Sequence, residues 1–96
     1  MRIPQEKIDS LKNYPIEFKI QKLRLWSGLT QKQLAQVLGT SNVIVSNWET
    51  GKSIPSQQSL ELIREFFGLS LDFFIADEIK LAKSKSLKFK KNKEES

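Results

Sequence analysis

The sequence predicts an all-α fold, a compact five-helix domain with a short N-terminal extension and a basic C-terminal tail. Apolar residues recur at helical spacings of three and four between residues 16 and 74. Serine or threonine precedes most of these stretches, and a glycine follows most of them, as expected at helix N-caps and C-terminal turns. The predicted boundaries are 1–13 for the extension, 14–77 for the domain and 78–96 for a partly disordered Lys-rich tail.

Composition excludes several classes of function. The 96 residues allow one small domain and include neither cysteine nor histidine. Disulfides, thiol catalysis and zinc sites of the Cys/His type are therefore excluded. No glycine-rich phosphate loop and no nucleophile beside an evident base is present, so we expect no enzyme, no metal and no cofactor. No apolar run has the length of a membrane span, and we expect a cytoplasmic protein without a membrane partner.

The net charge of +5 is confined to the C-terminal end. Residues 80–96 contain seven lysines and two glutamates, which alone amount to +5, so the first 79 residues balance to zero. Overall basicity is therefore no argument that the domain itself binds nucleic acid.

Each predicted helix has its own start and stop signals. Pro15 suits the first turn of a helix that ends at Ser27-Gly28, with Phe18 or Tyr14 completing its apolar face. The other predicted helices begin after Thr30, Ser41, Ser56 and Ser70, and the last of them covers 71–77. The extension contains Ile8 and Leu11 at helical spacing, which fits a short helix or equally a frayed arm.

The stretch 29–51 predicts two short helices joined by a tight turn at 39–41, the helix-turn-helix motif. Small Ala35 falls where the helices would cross, and Val45 and Trp48 would anchor the second helix. The stretch resembles the phage-repressor/Cro-type helix-turn-helix family. The positions that match its pattern are Arg24, Gly28, Leu29, Thr30, Gln31, Leu34, Ala35, Leu38, Gly39, Ser41, Val45, Trp48, Glu49, Gly51, Lys52 and Pro55.

The resemblance implies a phage-repressor-like domain that binds double-stranded DNA with helix 41–50 in the major groove. Carried over by position, the base-contacting residues are Asn42, Val43, Ser46 and Asn47. The phosphate-contacting residues are Thr30, Gln31, Ser41 and Lys52. Arg24 and Glu49 correspond to a structural ion pair of the family.

The expected base readers restrict the DNA sequence that can be recognised. Asparagine matches adenine, and valine suits the thymine methyl group, whereas this face has no arginine or lysine to read guanine. We expect pseudo-palindromic half-sites rich in A·T. A face without cations also predicts weak binding by a monomer, so we expect a homodimer. The Lys-rich tail would either add phosphate contacts or serve equally well as a solubilising or disordered tail.

Five apolar residues occupy positions that the family usually leaves polar: Leu25, Trp26, Leu62, Phe66 and Phe73. We expect the N-terminal extension to cover some of them and a dimer contact to cover Phe66 and Phe73.

The sequence thus predicts a DNA-binding transcriptional regulator, most readily a dimeric repressor of bacterial or phage origin. The alternatives are an autoregulating antitoxin with a toxin partner and a restriction–modification controller. A less favoured alternative is an interaction module that keeps the fold without reading DNA.

Overall fold

The computed structural model describes residues 3–80, which form six helices and no strand. The helices are α1 (Gln5–Ser10), α2 (Ile16–Trp26), α3 (Gln31–Leu38), α4 (Asn42–Thr50), α5 (Gln57–Phe67) and α6, which covers residues 75–80. The predicted all-α class is confirmed. The count rises from five to six because the N-terminal extension contains a helix of its own.

Local capping explains where α3, α4 and α5 begin. The Thr30 hydroxyl accepts the N–H of Gln33, and the Gln33 side chain in turn accepts the N–H of Thr30, forming a capping box. Ser41 caps α4 and Ser56 caps α5 in the same manner, each accepting a backbone N–H three residues ahead. These three predicted starts are correct to the residue.

The core is formed by the inner faces of the helices around α2. Ile20 and Leu23 of this helix are fully buried, and Phe18 packs against the core while Tyr14 remains 50% exposed. The other buried apolar residues are Ile8, Leu11, Ile16, Leu34, Ala35, Val45, Trp48, Leu60, Ile63, Phe73 and Phe74. None of the helices within residues 3–80 combines the length and apolar character needed to span a membrane.

The N-terminal extension is helical and closes one side of this core. Ile8 and Leu11 are 6% and 1% exposed. The Lys7 ammonium lies 5.2 Å from the centroid of the Trp26 ring, which is half-buried. The extension therefore covers part of Trp26, one of the five apolar residues that were expected to need a covering segment.

The segment before α6 differs from the prediction. Residues 71–74 form turns instead of the start of a helix, and only residues 75–80 of this segment are helical among the described residues. The N–H of Phe73 donates to Ser70 O and that of Ile75 to Asp72 O, both bonds over three residues. The turn directs two neighbouring rings inward, whereas adjacent positions of a helix are about 100° apart.

Phe73 is 1% exposed and stacks edge-on against Phe74 with 4.9 Å between ring centroids. The prediction that Phe73 contributes to a dimer contact is therefore wrong, because the protomer itself buries this ring. Leu25, Leu62 and Phe66 do remain 40% or more exposed. The tail predicted to be partly disordered covers 78–96. Its residues 81–96 lie outside the described residues.

A buried ion pair ties α6 to α2. The Lys19 ammonium lies 2.8 Å from an Asp77 carboxylate oxygen, and their side chains are 1% and 10% exposed. The same ammonium donates to Phe73 O at 3.4 Å. Since a buried lysine needs a partner, this contact fixes where the last helix lies.

Candidate nucleic-acid interface

The turn between α3 and α4 sets the geometry of the candidate interface. Gly39 has φ = 71°, a left-handed conformation that side chains disfavour, and the N–H of Thr40 then donates to Ala35 O at 2.9 Å. Ala35 is 2% exposed where α3 and α4 meet. Its single methyl group permits this close approach.

One side of α4 anchors the helix, and the other side remains open. Val45 and Trp48 are buried, at 0% and 5% exposure. On the opposite side, Val43 is 63% exposed, Asn42 is also exposed, and Ser46 and Asn47 are half-buried. We call these four outward residues, Asn42, Val43, Ser46 and Asn47, the recognition face. They lie on one surface because positions one, four and five residues apart share a helical side.

Arg24 and Glu49 form a bidentate ion pair between α2 and α4. The Arg24 Nε and Nη2 atoms donate to the two carboxylate oxygens of Glu49 at 2.6 and 2.9 Å. The Arg24 Nη1 atom donates to Leu29 O at 2.8 Å. With the Glu49 side chain only 1% exposed, the pair fixes the position of α4 against the first helix of the domain.

Gln31 joins this ion pair, which the sequence did not indicate. Its side-chain amide donates to Glu49 Oε1 at 3.1 Å, so Glu49 accepts three hydrogen bonds. The backbone N–H of Gln31 belongs to the first turn of α3, where a helix has no internal acceptor. Gln31 thus combines a structural contact with a backbone donor at a helix N-terminus.

The other predicted phosphate contacts border the recognition face. The hydroxyls of Thr30 and Ser41 accept backbone N–H groups as caps, and each keeps its own proton to donate. Lys52 is exposed, and its backbone N–H donates to Asn47 O at 2.9 Å. Lys32, in the first turn of α3, is also exposed and is a further candidate for a phosphate contact. Its position on the outward side of a capped helix could have indicated this from the sequence.

Comparison with known proteins agrees with this geometry. The family model described as Helix-turn-helix matches residues 20–74, which is more than half of the chain. The HTH-type transcriptional activator BcrR of Enterococcus faecalis is 42% identical over 60 residues, covering 62% of this chain and 29% of that protein. Multiprotein-bridging factor 1a of Arabidopsis thaliana is 37% identical over 59 residues, covering 59% of this chain and 42% of that protein.

Endothelial differentiation-related factor 1 of Rattus norvegicus is 38% identical over 52 residues, covering 54% of this chain and 35% of that protein. The chain therefore spans less than half the length of each of these relatives. On the match to the family model and on this geometry, the chain belongs to the helix-turn-helix family of the phage-repressor/Cro type.

Proposed function

We propose that this chain is a sequence-specific, double-stranded DNA-binding transcriptional regulator that acts as a homodimer. The single observation that carries the proposal is the recognition face, the outward and mostly polar side of a helix whose opposite side is anchored by Trp48 and the buried Glu49. A helix held in this way presents its outward side chains without reorganisation. The major groove of B-DNA accommodates such a helix.

The chemistry of the recognition face favours A·T base pairs. Asn42 and Asn47 can each donate to and accept from adenine, and Val43 offers methyl groups to thymine. Arginine and lysine are absent from this face, so it has no bidentate partner for guanine. Each good contact contributes roughly 1–3 kcal/mol of discrimination against the wrong base pair.

Affinity would come from the phosphates and from symmetry. Thr30, Gln31, Ser41 and Lys52 offer backbone, hydroxyl, amide and ammonium donors around the recognition face. Because the face itself has no cation, two copies bound to half-sites about 34 Å apart would be needed for tight binding. We propose that lysines of 78–96 add salt-dependent affinity that does not depend on sequence.

The deciding experiment is selection of binding sites from a random duplex library, repeated with Asn42→Ala and Asn47→Ala. We expect a pseudo-palindromic, A·T-rich motif whose preference relaxes at one position in each variant. Asn13→Ala is the matched control, because Asn13 is exposed at a site remote from α4 in sequence. Guanine-dominated half-sites, or unchanged selection in both α4 variants, would refute the assignment of the recognition face.

The sign of regulation needs its own measurement. We propose repression, on the resemblance to phage repressors, although the relative BcrR is named an activator. A reporter driven by the chain's own promoter in a bacterial cytoplasm should fall in activity when the chain is expressed. If the chain co-purified with a toxin encoded by a neighbouring gene, it would be an antitoxin. If the neighbouring gene encoded a restriction enzyme, the chain would be a restriction–modification controller.

A second candidate function is a protein-interaction module that does not read DNA. The uncharged recognition face favours it, since such a face gains little from phosphate attraction. Electrophoretic mobility with the chain's own promoter separates the two functions. Sequence-independent or absent binding at low salt would support the interaction module.

A further inference from the structure

The outer side of α5 combines acidic and apolar groups. Glu61 and Glu65 are exposed one helical turn apart, beside Leu62 and Phe66 at 40% and 42% exposure. Leu71 follows at the C-terminal end of the same surface and is 82% exposed. Glu61, Glu65 and Leu71 also line a groove of about 530 Å³, which we call the acidic groove and whose other lining residues are Arg64, Gly68 and Leu69.

The charge of this groove is negative. Arg64 is neutralised by Glu78, whose carboxylate lies 2.8 Å from its guanidinium. Within residues 3–80, neither Glu61 nor Glu65 has a lysine or arginine nitrogen within ion-pair distance. Like charges four residues apart on a helix repel each other. A cationic occupant with apolar side chains would relieve the repulsion and cover the exposed apolar residues at once.

The same chain contains a segment of that composition outside the described residues. Within 83–93 the sequence has six lysines, at positions 83, 85, 88, 90, 91 and 93. Leu87 and Phe89 alternate with them, so the segment is both strongly basic and locally apolar. Its charge and its apolar content both complement the acidic groove.

The groove is within reach of this segment. Glu78 of α6 contacts Gln57 at 2.5 Å and Arg64, which lines the groove, at 2.8 Å, so this turn of α6 lies beside α5. Gln57 and Glu61 are one helical turn apart on that side of α5. The seven residues from Lys80 to Leu87 can span up to about 25 Å, several times the length of one turn.

We propose that residues 83–93 dock in the acidic groove of their own protomer. Leu87 and Phe89 would then pack against Leu69 and the exposed Leu71, and the lysines would pair with Glu61 and Glu65. A second copy of the same groove is a poorer occupant, because a symmetric contact would bring four glutamates together. The docking itself needs no DNA. Only its consequence, competition between the groove and DNA phosphates for the same lysines, rests on the proposed function.

The chain has no cysteine, so a single introduced cysteine allows one spin label to be attached at a defined position of the 96-residue chain. We would attach a nitroxide at Ser86→Cys and measure the paramagnetic broadening of backbone amide signals. We expect broadening concentrated at 61–71 and little at the recognition face. Broadening spread evenly, or absent from 61–71, would overturn the proposal.

The matched variant is Glu61→Gln with Glu65→Gln, which keeps the shape of the groove and removes its charge. We expect the localised broadening to be lost while the amide signals of the core stay in place. Unchanged broadening would overturn the proposed charge pairing. Mixing labelled, unenriched chains with unlabelled, 15N-enriched chains gives the last arm. Docking within one protomer leaves the enriched chains in this mixture without localised broadening, whereas broadening at 61–71 in the mixture would mean that the segment occupies a second copy.

The consequence for DNA is measured separately. The same double glutamine variant should bind every duplex more tightly and with a steeper salt dependence, because the lysines are released from the groove. Absence of DNA binding in both proteins would refute the proposed function and leave the docking intact. If the variant bound DNA as the parent does, and if the broadening in the parent were not localised at 61–71, the docking proposal would be refuted and the proposed function would stand.

Discussion

Replacing Arg24 with alanine should destabilise the domain severely, because it strands a buried charge. Glu49 has a side chain 1% exposed and accepts hydrogen bonds at 2.6 and 2.9 Å from Arg24 and at 3.1 Å from Gln31. The variant removes two of the three and leaves a carboxylate with a single neutral donor. Loss of one partner of such a pair costs about 3–5 kcal/mol.

That cost is large against the stability of a small domain, which starts at about 5 kcal/mol. For a domain of this size the midpoint of thermal unfolding should fall by at least about 12 °C. Urea denaturation followed by circular dichroism, with the fluorescence of the two tryptophans, Trp26 and Trp48, as a second probe, gives the free energy of unfolding. Both probes should report the same transition if unfolding is two-state.

Lys22→Ala is the matched control, because it removes the same unit charge from the same helix. The Lys22 ammonium lies 5.2 Å from the Phe18 ring centroid and forms no ion pair within residues 3–80, so the loss should be about 1 kcal/mol or less. The double variant Arg24→Met with Glu49→Leu should recover much of the stability, since no charge is then buried alone. If Arg24→Ala costs no more than Lys22→Ala, the ion pair does not hold α4 in place.

Three further predictions test other parts of the fold. Lys19→Met should lower the free energy of unfolding, measured by urea denaturation, by about 1–3 kcal/mol, because it leaves the Asp77 carboxylate unpaired. The double variant Lys19→Met with Asp77→Leu should regain much of this free energy, since no charge is then left alone. Gly39→Ala should cost about 1–2 kcal/mol by the same assay although nothing lies within 4 Å of the added methyl, since φ = 71° is the only strain. The hydrogen bond from the Ser70 hydroxyl, and then the Lys12 ammonium, lower the pKa of Asp72. A group whose pKa is depressed in the folded state stabilises the fold above its unfolded pKa and loses this effect as the pH falls through the folded pKa. Ser70→Ala should therefore raise the pKa of Asp72 in an NMR titration and lower the stability at pH 7, with a difference from the parent that fades as the pH falls through the pKa of the folded carboxyl.

The elements that were predicted correctly are those with local causes. Thr30, Ser41 and Ser56 cap helices whose first turns they touch, and Gly39 and Gly51 adopt left-handed conformations that end helices. Each signal acts over four residues or fewer, so it is visible in the sequence alone. The family resemblance indicated that Arg24 and Glu49, 25 residues apart, form a pair, whereas the DNA contacts it implies for the outward side of α4 stay a prediction.

The contacts that escaped prediction depend on distant partners. The sequence suggests that Lys19 of α2 is exposed to solvent, yet its side chain is 1% exposed. Its ammonium donates a hydrogen bond to the Asp77 carboxylate, 58 residues away. The inward position of Phe73 likewise depends on a turn at residues 71–74. The sequence predicts a helix there because serine is a common N-cap, but the Ser70 hydroxyl instead donates to the Asp72 carboxylate. Helical periodicity cannot reveal either contact, because both are made only when α6 has docked.

Gln31 connects the stability of the domain to the way it would meet DNA. Its side chain contributes a hydrogen bond to Glu49, while its backbone N–H stands at the N-terminus of α3, where a phosphate is best accommodated. Glu49 lies in the last turn of the same helix that presents Asn42. In the proposed complex, a phosphate at Gln31 and a base edge at Asn42 would therefore be held at a fixed separation by the Arg24 ion pair. Such rigidity suits a recognition face without cations, because its selectivity must come from the positions of its amides and methyl groups and cannot come from charge.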